Sequence, residues 1–229
     1  MRVALGKEKA DLTVVNANVV NVYTGEILPN FGISIKGKWI AYVGENAGDS
    51  IGHQTEVIDA EGQTVIPGLI DGHTHIAWMF TAAEFLKYAI AGGTTTIVTE
   101  ILEPFFVCGF EGVVDFLASL KDQPIKILAT APALVSISRT ARDMPPETLA
   151  KILNRDDILG LGESYWQAVL QVPEQVLPRF EQALAAGKTL EGHSAGASDK
   201  KLAAYVAGGI SSCHEPINAD QVLERLRMG

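Results

Sequence analysis

The sequence is short of positive charge: 18 Lys and Arg stand against 27 Asp and Glu in 229 residues, a formal net charge of -9. No Lys/Arg cluster breaks this balance, so the cationic stripe that phosphate backbones require is missing and nucleic acid is excluded as an expected partner. Long hydrophobic runs are missing too. None approaches the ~20 residues needed to cross a bilayer, and the start, MRVALGKEKADLTVV, has no apolar stretch followed by a small-residue cleavage site. A cytoplasmic location away from any membrane is the expectation. Cysteine is scarce: Cys108 and Cys213 lie far apart and form neither a disulfide framework nor a zinc knuckle, and both are expected as small buried hydrophobes. What the chain does have is apolar material, 47% hydrophobic against 20% charged, enough for a sizeable core.

Residues 1–63 are dense in β-branched side chains and turn signals. LTVVN, NVVNV, FGISIKG, KWIAYVG and TEVIDA read as short strands, with Gly37 at a hairpin. This is a small β-rich domain. From residue 64 to 229 short apolar runs alternate with stretches of helical period, the pattern of βαβ units and a parallel sheet. The strands are TVIPGLI, TTTIVT, IKILAT, DILGLG, KTLEG and GISSC. The helices run from about Thr81 to Ala91, Glu111 to Leu120, over ETLAKIL, from Pro173 to Ala186, over DKKLAAYVA and over ADQVLERLR, several of them ended by glycine. Six such units fit an open doubly wound sheet or a closed eightfold barrel equally well.

Four of the five histidines stand where a strand runs out: His73 and His75 after the first, His193 after the fifth, His214 after the sixth. Parallel α/β folds gather ligand sites at the carboxyl ends of strands. The two-residue spacing of His73 and His75 sends both rings to one face of an extended chain, and Glu163, after Gly-Leu-Gly of the fourth strand, adds an oxygen donor at the same rim. Nitrogen and carboxylate donors suit a borderline divalent ion such as zinc, manganese or iron. His53 has no partner in the strand-rich domain and is read as an ordinary surface or core residue.

PGLIDGHTH, at residues 67–75 after a small β-rich segment, resembles the metal-binding signature of the amidohydrolase superfamily. GLGESYW around Glu163, EGHSAG around His193 and GISSCHEPINADQVLERLRMG around His214 are similar in order and spacing to stretches of the bacterial adenine deaminases, and the likeness covers nearly the whole chain. The resemblance implies an α/β fold, a (β/α)8 (TIM) barrel, here incomplete at about six units and preceded by the β-rich domain. It implies two divalent ions, with His73 and His75 on one, His193 and His214 on the other, and Glu163 bridging them in place of the carboxylated lysine of other branches. Where the family has an Asp-Pro-His-Glu run after strand two, Glu103 falls on the glutamate, a substrate-binding candidate, and Leu102 on the histidine. Tyr165 and Trp166 also depart from the family and point to a rebuilt pocket wall.

The implied reaction is hydrolytic loss of an exocyclic amine from a purine base, adenine to hypoxanthine and ammonia, with water activated by the ions. The proton-transferring aspartate that the resemblance requires at the end of strand eight has no counterpart: Asp199 and Asp220 lie on or before helices, and the chain ends after the sixth unit. Expected, therefore, is a polypeptide truncated before strands seven and eight, with little or no activity alone and with open sheet edges that favour further chain or a second copy. A cyclic amidase of the dihydroorotase or hydantoinase kind would carry lysine at the bridging position, where this chain has Glu163. A non-catalytic assembly module that keeps only the shape of the site would bind no ion.

Overall fold

Strand β1 (Leu12–Asn21) is continuous where two strands were expected, because Asn16 takes a left-handed conformation (φ 55°) and absorbs one extra residue between Val14 and Ala17. Asparagine tolerates that region better than other side chains. Strand β2 (Glu26–Lys36) pairs with β1 antiparallel, and β3 (Trp39–Gly44) pairs with β2 across the turn at Gly37, as the hairpin signal predicts. Strands β4 (Glu56–Asp59) and β5 (Thr64–Val65) both lie parallel to β1. TVIPGLI is thus not one strand. Pro67 lacks the N–H that a ladder needs, so residues 64–65 stay with β1 and the chain restarts as β6 (Leu69–Thr74) in a second sheet.

The structure, a computed structural model, describes residues 1–133 and 144–229, and the chain divides into two compact units, Met1–Pro67 and Gly68–Gly229. The first is held by small buried residues and by a buried hydroxyl cluster: Ser50 Oγ lies 3.1 Å from Thr13 Oγ1 and 2.7 Å from Ser34 Oγ, and donates to the Ala47 carbonyl at 2.7 Å. Gly32 passes so close that an added Cβ would stand 2.6 Å from both Ala47 Cβ and the Val14 carbonyl oxygen. Gly32→Ala is therefore expected to destabilise this unit by about 1–3 kcal/mol in urea unfolding, the usual cost of overpacking; a change below about 0.5 kcal/mol would show that the backbones yield freely.

The second unit continues through α1 (Ile76–Met79), α2 (Ala82–Ala91), β7 (Thr94–Glu100), α3 (Leu102–Ser119), β8 (Lys126–Pro132), α4 (Pro146–Leu153), β9 (Ile158–Tyr165), α5 (Trp166–Gln171), α6 (Pro173–Ala185), β10 (Thr189–His193), α7 (Asp199–Val206), β11 (Ser212–Cys213) and α8 (Ala219–Leu226). Helix α2 starts where Thr81 accepts a hydrogen bond from the Glu84 N–H, and it stops at Gly92 and Gly93, as the start and stop signals predict. Helix α3 begins nine residues before the expected start at Glu111; its φ/ψ breaks at Gly109, so the segment read as a loop is a first helical piece.

All six strands are parallel, and the sheet order β6-β7-β8-β9-β10-β11 places each beside its predecessor. A doubly wound sheet reverses its strand order at a switch point. This one does not, so it is the curled wall of a barrel, six strands long. Among the described residues β6 and β11 have a sheet neighbour on one side only. Val113 and Leu117 of α3, Leu149 and Ile152 of α4, Phe180 and Ala183 of α6, and Leu202 of α7 pack over Ala129, Ala131, Ile158, Leu161 and Leu190 of the strands. That helical layer braces the outside and leaves the carboxyl strand ends to polar side chains.

The cysteines depart from expectation. Cys108 is exposed, on α3 next to the break at Gly109, and Cys213 is half-buried on the short edge strand β11; both are free thiols. No helix among the described residues is long and apolar enough to cross a membrane.

Candidate metal centre

All five expected donors, four histidines and Glu163, converge at one end of the half-barrel. Strand β6 delivers His73, and His75 follows at the N-cap of α1. Glu163 comes from β9, which carries one extra residue relative to β10 between Leu161 and Ser164. Within that bulge Glu163 adopts φ 51°, a left-handed conformation costing of order 1 kcal/mol in a non-glycine residue and one that re-aims the side chain. His193 closes β10 and His214 follows β11.

Glu163 is the hub. Its Oε1 lies 3.3 Å from His73 Nε2, 3.3 Å from His75 Nε2 and 3.5 Å from His214 Nε2, and its Oε2 lies 3.1 Å from His193 Nδ1. The His73 and His75 Nε2 atoms are 3.2 Å apart. His214 stacks flat on His73, with ring centroids 3.4 Å apart. His53, exposed in the other unit, takes no part.

These residues fit a bound cation. An ion with bonds of about 2.0–2.1 Å to imidazole spaces neighbouring tetrahedral donors roughly 3.3 Å apart, which is the spacing seen here. Three donor triads arise among the described residues: His73, His75 and Glu163 on one side and Glu163, His193 and His214 on the other share the glutamate, and His73, Glu100 and Glu191 form a third. Glu163 Oε2 and His193 Nδ1 are buried without a regular hydrogen bond. Such orphaned atoms are costly unless something else satisfies them.

The electrostatics describe a carboxylate wrapped in imidazoles. Burial alone would push Glu163 up, but the close imidazoles of His193, His73 and His75 outweigh it and hold the carboxyl far below its ordinary range. His75 is raised to about 10, chiefly by Glu103 and then by Glu163. Burial opposes charge on His73, yet Glu163 and Glu191 lift it to about 9. Burial and the neighbouring positive His73 depress His214 to about 4.

Around this hub lie groups that the strand-end pattern did not single out. Glu191 stands two residues before His193 on β10, the same alternation that pairs His73 with His75 and the signal that could have found it. Glu100, at the end of β7, is completely buried, accepts a hydrogen bond from Thr130 Oγ1 at 2.5 Å, and is lifted by burial to about 8. Glu103 meets His75 Nδ1 through Oε1 at 2.6 Å, leaving Oε2 buried and unpartnered. Tyr165 packs its ring 4.4 Å from that of His193, on the site wall as expected. Trp166 does not line the cluster; its indole N–H donates to the Ala195 carbonyl at 2.8 Å and so ties down the segment after His193. Arg225 of α8 grips the same segment, donating to the Ser194 carbonyl at 2.6 Å, Ser194 Oγ at 2.9 Å and the Ala197 carbonyl at 3.1 Å. Asp199 and Asp220 sit on the first turns of α7 and α8.

The profile of the amidohydrolase family matches residues 56–103. An adenine deaminase of Cenarchaeum symbiosum is 36% identical over 231 residues, covering 99% of this chain and 38% of that protein. The adenine deaminase of Moorella thermoacetica is 40% identical over 234 residues, covering 99% and 39%. Among solved structures, the beta-aspartyl dipeptidase of Fervidobacterium islandicum AW-1 superposes with a TM-score of 0.65 at 17% identity, over 94% of this chain and 62% of that one. Molinate hydrolase does so at 0.61 and 16%, over 96% and 62%. The chain spans about two fifths of the length of the adenine deaminases that it matches. Its sequence is similar along its whole length to the amino-terminal part of the adenine deaminases, and its fold is that of the solved hydrolases.

Proposed function

We propose that this chain carries the ion-binding half of a metal-dependent aminohydrolase acting on a purine base, most simply adenine. The carrying observation is the convergence of four imidazoles on the two oxygens of Glu163. Amidohydrolases work with divalent metal. In this reading His73 and His75 hold one ion, His193 and His214 a second, and Glu163 spans both; manganese, iron and zinc all suit the donor set. Bound metal supplies Lewis acidity toward water and the substrate.

The chain's own residues then do the following. Glu163 stays ionised and orients four rings at once. Glu103 keeps Oε2 free of protein partners, and in this reading it accepts an N–H of the purine ring, a contact that orients the base by its hydrogen-bond edge. Tyr165 and the ring of Trp78, 5.4 Å from that of His75, wall the site with flat apolar surface suited to a heterocycle. A cyclic amidase reading is weaker because a carboxylate, not a lysine, occupies the hub.

The test combines elemental analysis with ammonia release. The protein should hold one to two ions per chain, and the whole protein loaded with manganese should release ammonia from adenine at about 1 per second or faster, the usual enzyme range. Ring opening of dihydroorotate or hydantoin in preference to adenine would replace this reading. The 229-residue chain assayed alone is expected to fall well below that rate, because it spans only about two fifths of the length of the adenine deaminases that it resembles.

A further inference from the structure

Each ring of the His-x-His pair meets a carboxylate on both sides. His75 turns Nε2 to Glu163 Oε1 at 3.3 Å and Nδ1 to Glu103 Oε1 at 2.6 Å. His73 repeats the arrangement, with Nε2 3.3 Å from Glu163 Oε1 and Nδ1 3.5 Å from Glu191 Oε2. The outer carboxylates come from different elements, Glu103 from the first turn of α3 and Glu191 from β10. Glu191 is only 8% exposed, and its Oε2 has no regular hydrogen bond among the described residues, so the His73 Nδ1–H is the donor within reach. Glu100 Oε1 stands further off, 3.9 Å from the same nitrogen, and is already engaged by Thr130.

A neutral imidazole has one proton and two nitrogens, and the partner of one nitrogen decides what the other presents. A carboxylate at Nδ1 takes the proton there and leaves the Nε2 lone pair free and aimed. We propose, on the ion-site reading above, that Glu103 and Glu191 are positioning residues: each accepts the Nδ1–H of one imidazole, so that His75 and His73 both face the ion through Nε2. Neither carboxylate binds the ion. Partners of this kind typically change metal affinity 10–100-fold when removed.

The experiment is a zinc titration of the protein labelled with 15N at its five histidines, following affinity and the nitrogen signals that distinguish Nδ1–H from Nε2–H rings. The expected result is that zinc-loaded protein shows His73 and His75 as Nδ1–H, and that Glu103→Ala and Glu191→Met each weaken zinc binding about 10- to 100-fold and abolish the preference for Nδ1–H at His75 and His73 respectively. Glu103→Gln, whose amide oxygen still accepts, should recover most of the affinity. Methionine at 191 keeps the volume of a nearly buried side chain, so loss of affinity there is read with the fold intact, checked by far-UV circular dichroism. Zinc affinity within twofold of the unsubstituted protein, with the Nδ1–H signals unchanged in both variants, overturns the proposal. Failure of the unsubstituted protein to bind zinc overturns the ion site itself and is thereby told apart.

Discussion

Glu163→Gln should leave a folded protein that no longer holds metal. The substitution keeps the shape of a side chain whose oxygens touch all four imidazoles, so packing is preserved. Breaking a buried ion pair normally costs 3–5 kcal/mol because a charge is stranded, but here His75 and His73 each keep a second carboxylate at Nδ1, Glu103 and Glu191, so neither ring is left without a counter-charge. Stability should therefore change by only about 1–2 kcal/mol while the amide, a poor ligand, removes the donor common to the two triads that share it. Removing a carboxylate that only touches a ligand's far nitrogen typically weakens metal sites 10–100-fold; loss of the shared donor should exceed that, bringing metal content after dialysis close to zero. Retention of the unsubstituted complement of ions by Glu163→Gln would show that the glutamate is a structural counter-charge and that the histidines bind without it.

Gly192→Ala should damage both the fold and the site. A Cβ at this position would lie 2.7 Å from Tyr205 Oη, 2.7 Å from Ile210 Cγ2 and 2.8 Å from the Ser212 carbonyl oxygen. The last is backbone of β11, which can move only by leaving β10. Tyr205 is fully buried; its hydroxyl donates to the Ser164 carbonyl and accepts from the His193 N–H at 3.0 Å, stitching β9 to β10 beside Glu163 and His193. Overpacking costs about 1–3 kcal/mol, and leaving the buried His193 N–H and Ser164 carbonyl unsatisfied adds about 1–3 kcal/mol. Urea unfolding should show a loss of roughly 2–5 kcal/mol, and zinc affinity should fall with it. Tyr205→Phe alone should cost about 1–3 kcal/mol. Combined with Gly192→Ala it should cost less than the sum, because loss of the hydroxyl removes one of the collisions; strict additivity would mean that the Ser212 carbonyl carries the whole effect.

The units and the donors were legible because each has a local signature. Gly92 and Gly93 end α2, Gly187 follows α6, and the helical periodicity between them needs no tertiary information. Strand-ending histidines were visible for the same reason: His73, His75, His193 and His214 stand just past short runs that read as strands. What stayed hidden depends on groups brought together from a distance. Glu191 sits inside a run that reads as an ordinary strand and Glu100 directly after another, and only the curled sheet turns both carboxylates onto His73. The choice between an open sheet and a barrel wall was likewise undetermined until the strand order was known, since both share the same βαβ alternation. Splitting of TVIPGLI at Pro67 was foreseeable from the missing N–H alone; an apolar run on either side of the proline concealed it.

Strands β6 and β9 are separated in the sheet by two others, which at about 4.8 Å per neighbour would put them some 14 Å apart on a flat surface. Side chains from their tips nevertheless approach to 3.3 Å. An ion seated between His73, His75 and Glu163 would thus work as a clasp across the chord of an arc, converting coordination energy into curvature. Stripping it should let the arc slacken, and amide hydrogens of β7 and β8, the strands spanned by the clasp, should exchange faster with deuterium while those of β1 to β3 keep their pace.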